Sequence, residues 1–399
     1  MKSSLTWLIF IVTLTLLTTG VVMVYSSSAA SAAREAMRDD QRSSALAPRA
    51  NDATLDMSAH SFYYLKRQVV WVVLSIIAML TVYHFIDYER YRMLATPLLL
   101  TAIVALALVF VPGIGIAHKG SHRWIGFGGV QIQPSEFAKL AMVLYMAKKL
   151  AEKQDVIRSF WRGFIPMLLV LCIVAGLIVI EPDLGASVVI GLICFTMFFV
   201  AGMRRIHLAT LGILAALAVV AAVIAEPYRV ARVFSYLDPE ADIHGKGWQL
   251  YQSLVAVGSG GVVGLGLGRG PQKYLFLSEA HTDFIFSVIC EEMGLIGAVI
   301  IMTFYVAFII LGICVAYNSS DMYSSLLATG VISMIGIPAF INVAVVTGLV
   351  PTKGLTLPLI SYGGSSLFSN MLAIGILMNM SRNVEIANSP SRRPRHAHG

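Results

Sequence analysis

Glu279-Ala-His-Thr-Asp-Phe284 closes a polar, glycine-rich segment and opens an apolar run that continues to Ala316. A run of that length spans a hydrocarbon core of ~30 Å with room to tilt. The carboxylate of Asp283 then falls at a membrane surface. Thr282 reads as the N-cap of the new helix and Asp283 as a residue of its first turn, beside backbone N–H groups that have no helical partner.

Composition makes the rest of the chain membrane-embedded as well. Of 399 residues, 57% are hydrophobic and 13% charged, and the mean hydropathy is +0.77. A soluble chain carries about a quarter charged residues. The expected fold is an all-α polytopic membrane protein of about ten transmembrane helices, with no sizeable soluble domain. The net charge of +7 then concerns orientation and lipid phosphates rather than nucleic acid. Cys172, Cys194, Cys290 and Cys314 all lie in apolar runs, without metal-ligand spacing.

Working outward, residues 1–25 form a retained first helix, since its apolar run from Leu5 to Tyr25 exceeds the ~7–15 residues of a signal-peptide core. Residues 26–63 are polar, hold few large apolar groups, and read as a flexible extracytoplasmic loop. The transmembrane core is 64–381. Its spans are Trp71–Ile86, Leu94–Val111, Phe137–Leu150, Phe164–Ile180, Leu184–Val200, His207–Ile224, Asp283–Ala316, Leu326–Leu349 and Leu367–Met380. Asp87–Arg92 reads as a charged turn and Pro112–Gln133 as a glycine-rich loop. Pro134-Ser135-Glu136 reads as a cap followed by an acid. A large extracytoplasmic loop, 226–282, joins spans seven and eight, and Val255–Leu267 within it is too short and glycine-broken to cross. Residues 382–399 are a basic tail. Ten spans put both termini on one side, together with Lys2, Arg90, Arg92, the Lys148–Arg162 cluster, Arg204 and Arg205. By the positive-inside rule that side is the cytoplasm.

Many cations nevertheless fall on the other side or within the membrane. Arg123, Lys139, Arg229, Arg232, Lys246, Arg269, Lys273 and Lys353 could line an external cavity for an anionic headgroup or pyrophosphate; each could also be a solvated loop charge. Lys139 lies one turn inside an apolar helix, which costs at least ~2.5 kcal/mol unless it is paired or faces a cavity. Glu136, three residues earlier on the same face, is a candidate partner, and a purely structural ion pair is the plainer alternative. Asp183 could pair with Lys139 or Arg123, or cap span six. Glu291 and Glu292, two turns below Asp283, read as structural polar contacts. Asp283 itself is either a reactive carboxylate or a helix cap. Burial would raise its pKa, and the helix dipole and nearby cations would lower it. Gly264–Gly270 lacks the spacing and the preceding strand of a nucleotide loop.

Five stretches carry a resemblance: GSHRWIGFGGVQIQPSEFAKLA (Gly120–Ala141), EPDLGAS (Glu181–Ser187), GWQLYQSLVAVGSGG (Gly247–Gly261), SEAHTDFIFSVICEEMG (Ser278–Gly294) and PTKGLTLPLISYGGSS (Pro351–Ser366). With them the chain resembles the SEDS family (shape, elongation, division and sporulation; FtsW, RodA, SpoVE), over nearly everything after Tyr63. The last motif is more similar to the division branch, FtsW, than to the elongation branch. The resemblance implies a peptidoglycan glycosyltransferase of the cytoplasmic membrane, enriched at the division site, that polymerises lipid II at the outer face. It also implies a class B penicillin-binding protein and other division-machinery membrane proteins as partners, and a divalent cation, magnesium or manganese, with unassigned ligands. Asp283 matches the family's essential aspartate. Arg123, Trp124, Glu136, Lys139 and Asp183 match other important positions, and Gln252 and Lys353 fall in the quoted motifs as further substrate-binding candidates. The rival readings are a lipid II flippase and a non-catalytic scaffold of the division machinery. The sequence has no inverted repeat or paired broken helices of the transporter kind, which speaks against a flippase, and the clustering of the special residues at the outer face rather than the midplane favours surface chemistry.

Overall fold

In hydrocarbon every backbone N–H and C=O must be satisfied inside the protein, and a helix does this within its own segment, so long apolar runs become helices. A computed structural model describes residues 4–43, 50–118, 121–127, 130–238, 247–275, 277 and 280–387. The helices are α1 (Ser4–Ser43), α2 (Ala50–Phe85), α3 (Tyr88–Leu108), α4 (Pro134–Glu152), α5 (Ile165–Ile180), α6 (Leu184–Val200), α7 (Arg205–Ile224), α8 (Pro227–Leu237), α9 (Trp248–Ser259), α10 (Gln272–Leu275), α11 (Ile285–Tyr317), α12 (Met322–Val346) and α13 (Gly364–Ala387). Among the described residues, seven helical segments are long and apolar enough to cross a membrane, and α6 is a shorter apolar helix. Of the ten expected spans, α4 and α13 also fall outside that set; α4 is buried along most of its length but carries Glu136, Lys139, Lys148, Lys149 and Glu152. α12 lies at the centre and packs on α4, α6 and α11, while α13 packs on α2 and α1 on both α2 and α11.

Four expectations need correction. Most of segment 26–63 is helical backbone, as α1 runs to Ser43 and α2 begins at Ala50. Its alanines, with Glu35, Met37 and Leu55, are strong helix formers. The charged residues 88–92 open α3, with Asp87 as its N-cap, rather than forming a turn. The glycine-rich segment before α4 is an antiparallel sheet in the order β1 (Gly115–His118), β2 (Ser121–Phe127), β3 (Val130–Ile132); Trp124 pairs with Ile116, and Ile125 with both Gly115 and Ile132. The chain is therefore not purely helical. Finally, Thr282 is not an N-cap: residues 280–284 form a turn, Phe284 is the cap residue of α11, and Asp283 precedes the helix. Lys119, Lys246, Ser278, Glu279 and the tail from residue 388 lie outside the described residues.

The segment after α9 enters the bundle by breaking α11. Gly294 has φ 65° and ψ −165°, which interrupts the helix, a conformation that favours glycine. The interruption exposes backbone groups, and the glycine-rich loop satisfies them. Leu265 N–H donates to the Glu291 carbonyl and Gly266 N–H to the Glu292 carbonyl, both at 3.0 Å; beyond the break, Leu295 and Ile296 N–H donate to the carbonyls of Gly261 (3.0 Å) and Val262 (3.2 Å). Buried backbone polar groups are nearly always paired, and here the pairing comes from a loop some thirty residues away. Glu292 is buried in an ion pair with Lys273. Ser26 of α1 donates to both carboxylate oxygens of Glu292, at 2.8 and 2.9 Å. Lys273 is thus a structural cation of the core and not part of an open cavity, while Glu291 and Glu292 are structural contacts, as expected.

Candidate active site

α4 begins at Pro134, whose fixed φ suits the first helical position and whose missing N–H costs nothing there. Gln133, just outside, is held by its N–H donating to Ser365 Oγ at 3.1 Å, which joins α4 to the start of α13. One turn into α4, Lys139 Nζ donates to Glu136 Oε1 at 2.8 Å, with both side chains buried. The expected pair is formed. Glu136 Oε2 is buried with no hydrogen-bond partner among the described residues.

Asp183 takes the capping role rather than either ion pair. Its Oδ1 accepts from Ala186 N–H at 3.1 Å, and Gln133 Nε2 approaches Oδ2 at 3.4 Å. Arg123, on β2, reaches the same turn but binds backbone: Nε donates to the Glu181 carbonyl (3.2 Å) and Nη2 to the Pro182 carbonyl (2.5 Å). The guanidinium therefore ties the sheet to the α5–α6 turn and fixes where Asp183 stands. Trp124 is half-buried beside it on β2.

The segment 347–363 closes the site. Asn342 of α12 donates from Nδ2 to two carbonyls, Asp283 (2.7 Å) and Leu355 (2.6 Å). Ser361 Oγ donates to the Thr282 carbonyl at 2.6 Å, and Tyr362 N–H to the His281 carbonyl at 2.9 Å. These bonds strap the turn before α11 to the segment before α13. Between them and α4 lies a narrow cavity of about 50 Å³, whose lining includes Gln133, Glu136, Lys139, Asp183, Gly354 and Thr356. Asp283 is half-buried, and its Oδ2 lies against Gly354 of the lining.

Glu136, Lys139 and Asp183 therefore share one cavity, Asp283 reaches its wall through Gly354, and Arg123 fixes the turn that carries Asp183. Gln252 does not join them: it is buried on α9, which packs on α11 and α12, and does not line the cavity. Arg229 and Arg232 also turn to backbone, donating to the Ala222 carbonyl (2.7 Å) and towards that of Thr352 (3.4 Å). Of the expected cations, Lys139 lines the cavity and Lys353 lies within reach of the Asp183 charge, while Arg123, like Arg229 and Arg232, is spent on backbone carbonyls and Arg269 is exposed. Burial lowers the pKa of Lys353, against the opposing pull of Asp183.

One acid missed by sequence reasoning stands out. Glu181 is fully buried, and neither carboxylate oxygen has a hydrogen-bond partner among the described residues. Burial, then the Asp183 charge, push its carboxyl up to about 8, against the Arg123 guanidinium. Its place at the end of an apolar run, next to proline, was the available signal. Asn342 and Gly354 gave none, since their contacts are made only in the fold.

The described residues do not form a resident metal centre: no three His, Cys, Asp or Glu come together. A magnesium-like ion carried on a pyrophosphate needs only one or two carboxylates from the protein. The free Oε2 of Glu136 fits that lesser demand.

The family model for the cell cycle proteins FtsW, RodA and SpoVE matches residues 44–386. The chain belongs to the FtsW/RodA/SpoVE family. It is 42% identical over 381 residues to stage V sporulation protein E of Bacillus subtilis, covering 96% of this chain and 98% of that one. It is also 42% identical over 362 residues to the probable peptidoglycan glycosyltransferase FtsW of Geobacter metallireducens, covering 91% and 90%. Among solved structures it superposes on a chain of a peptidoglycan synthase complex described for its coordination of polymerization and crosslinking, with TM-score 0.74, 29% identity and coverage of 95% and 98%. Thermus thermophilus RodA gives TM-score 0.66 at 27% identity, with coverage of 94% and 96%. This FtsW/RodA/SpoVE protein is accordingly a multi-pass membrane protein with a RodA-like fold.

Proposed function

We propose that this chain is a peptidoglycan glycosyltransferase that polymerises lipid II at the outer face of the cytoplasmic membrane during cell division, with Asp283 as general base. The observation that carries the reading is the convergence of Asp283, through Gly354, on a cavity that also holds the buried Lys139–Glu136 pair and Asp183. The reaction joins two lipid-pyrophosphate sugars. Asp283 takes the proton from the acceptor 4-hydroxyl as its oxygen attacks the donor's anomeric carbon, a contribution typically worth 10²–10⁴-fold. The bond from that carbon to the lipid pyrophosphate breaks with inversion, so one base suffices. Lys139 and Lys353 face the charge that develops on the departing pyrophosphate. Arg123 acts through the turn it holds, and Trp124 offers a ring face to a sugar.

A magnesium or manganese ion arriving with pyrophosphate would be held by Glu136 Oε2 and would supply charge neutralisation. The FtsW-named relatives support the activity, and the synthase-complex likeness supports a class B penicillin-binding protein as partner. The basic ends of α3 and α4 support cytoplasmic termini. Purified protein offered lipid II in detergent, where no membrane sidedness exists, should form glycan chains; a flippase or a scaffold would form none.

A further inference from the structure

The end of the bundle opposite the candidate active site carries a larger cleft, of about 380 Å³, between the start of α3 and the end of α4. Tyr88, Glu89, Arg92, Met93, Lys148 and Glu152 line it. The lining holds two cations and two acids, and Lys149, bonded to Glu152, adds a third cation beside it. Glu152 is engaged by Lys149, whose Nζ donates to Oε2 at 2.8 Å, and its other oxygen forms a looser ion pair with Arg92 at 3.8 Å. Lys148 spends one donor on Thr96 Oγ1 at 3.3 Å. The remaining Lys148 donors and an Arg92 guanidinium held only loosely by Glu152 face the cleft, beside the Glu89 carboxylate. A guanidinium and an ammonium converging on one space suit a phosphate.

The wall of the cleft says where such a phosphate would come from. Met93 lines it and is 75% exposed, and the same face of α3 continues with exposed Pro97, Leu100 (58%) and Val104 (56%). These positions recur at helical spacing. From Met93 to Val104 the rise is about 16 Å at 1.5 Å per residue, close to half of a ~30 Å hydrocarbon core. A phosphate in the cleft would stand at the head of an apolar track one leaflet deep. A soluble phosphate has no use for that track, but a lipid does.

We propose that the cleft between α3 and α4 binds the phosphodiester headgroup of an anionic glycerophospholipid, with Arg92 and Lys148 on the phosphate and one acyl chain along Met93, Pro97, Leu100 and Val104. The site is separate from the catalytic one, and the binding does not depend on the glycosyltransferase reading.

The test is native mass spectrometry of the full chain in detergent supplemented with phosphatidylglycerol or phosphatidylcholine. Wild type should retain phosphatidylglycerol preferentially. Arg92→Gln with Lys148→Gln should cut that retention roughly tenfold or more, the effect expected of two juxtamembrane basic residues. Arg90→Gln with Lys153→Gln, which removes equal charge from the same end outside the cleft, should leave it intact. Equal loss in both double variants, or no loss in the first, overturns the site. Inorganic phosphate at millimolar concentration raising the melting temperature as much as phosphatidylglycerol would mark a soluble ligand and overturn the lipid assignment. Should the first double variant fail to fold, a photoactivatable phosphatidylglycerol on wild type decides: labelling of residues 88–104 and 148–152 supports the site, and labelling that omits them refutes it.

Discussion

The carboxylate of Asp283 and the α-carbon of Gly354 lie so close that a Cβ added to Gly354 would stand 2.8 Å from Asp283 Oδ2. Gly354 is exposed on its other side, so the contact is one-sided. Gly354→Ala should displace the carboxylate, which ends a flexible side chain, with little strain on the backbone. Melting in detergent should change by less than about 1 kcal/mol equivalent, while lipid II polymerisation falls about 10–100-fold, as for other small misplacements of a reacting group. Unchanged polymerisation would show that the position of Asp283 is not critical.

The Lys139–Glu136 pair predicts a separation of stability from activity. Lys139→Met leaves a buried carboxylate unpaired, at a cost of about 3–5 kcal/mol. Glu136→Gln with Lys139→Met removes both charges and should recover much of that loss in thermal unfolding. Neither variant should polymerise lipid II if Lys139 meets the pyrophosphate. An active double variant would reduce the pair to a structural role.

Glu181 predicts a pH dependence. Its carboxyl is raised from 4.5 to about 8 in the folded chain, chiefly by burial. Stability from keeping it neutral is fully present below about pH 4.5 and is lost as pH rises through about 8, for a total of roughly 3–5 kcal/mol. Glu181→Gln removes that loss. Its melting temperature should fall less than that of wild type between pH 5 and 9, scanned in detergent, and parallel curves would contradict the assignment.

The break in α11 predicts a contrast between two glycines. Gly264 (φ +86°) has the Glu292 carbonyl oxygen 2.2 Å from where a Cβ would be, whereas Gly268 (φ +82°) has nothing within 4 Å. Both alanine variants carry left-handed strain of about 1–2 kcal/mol. Only Gly264→Ala also pushes against backbone that is already hydrogen-bonded. It should therefore express and melt clearly worse than Gly268→Ala, and equal melting would argue against the docked loop.

What the sequence made legible was local. α6 has the predicted bounds, and Glu136 meets Lys139 because three residues on one helix face are neighbours. The Asp183 cap is equally local. Strands 115–132 escaped because short glycine-containing strands are defined by their cross-strand partners rather than by their own pattern. The partners of Arg123 are carbonyls nearly sixty residues away, and no spacing rule reaches them. Thr282 failed as a cap because its own carbonyl is already held by Ser361, so the turn belongs to segment 347–363 as much as to α11. Lys273 looked like a loop cation until Glu292 and Ser26 enclosed it.

The most direct measurement is glycan chain formation from lipid II in detergent by purified wild type and Asp283→Asn, matched for yield and melting temperature. The account predicts long glycan strands from wild type and none from the variant, since the amide cannot take the acceptor's proton. Strands of normal length from Asp283→Asn would contradict it.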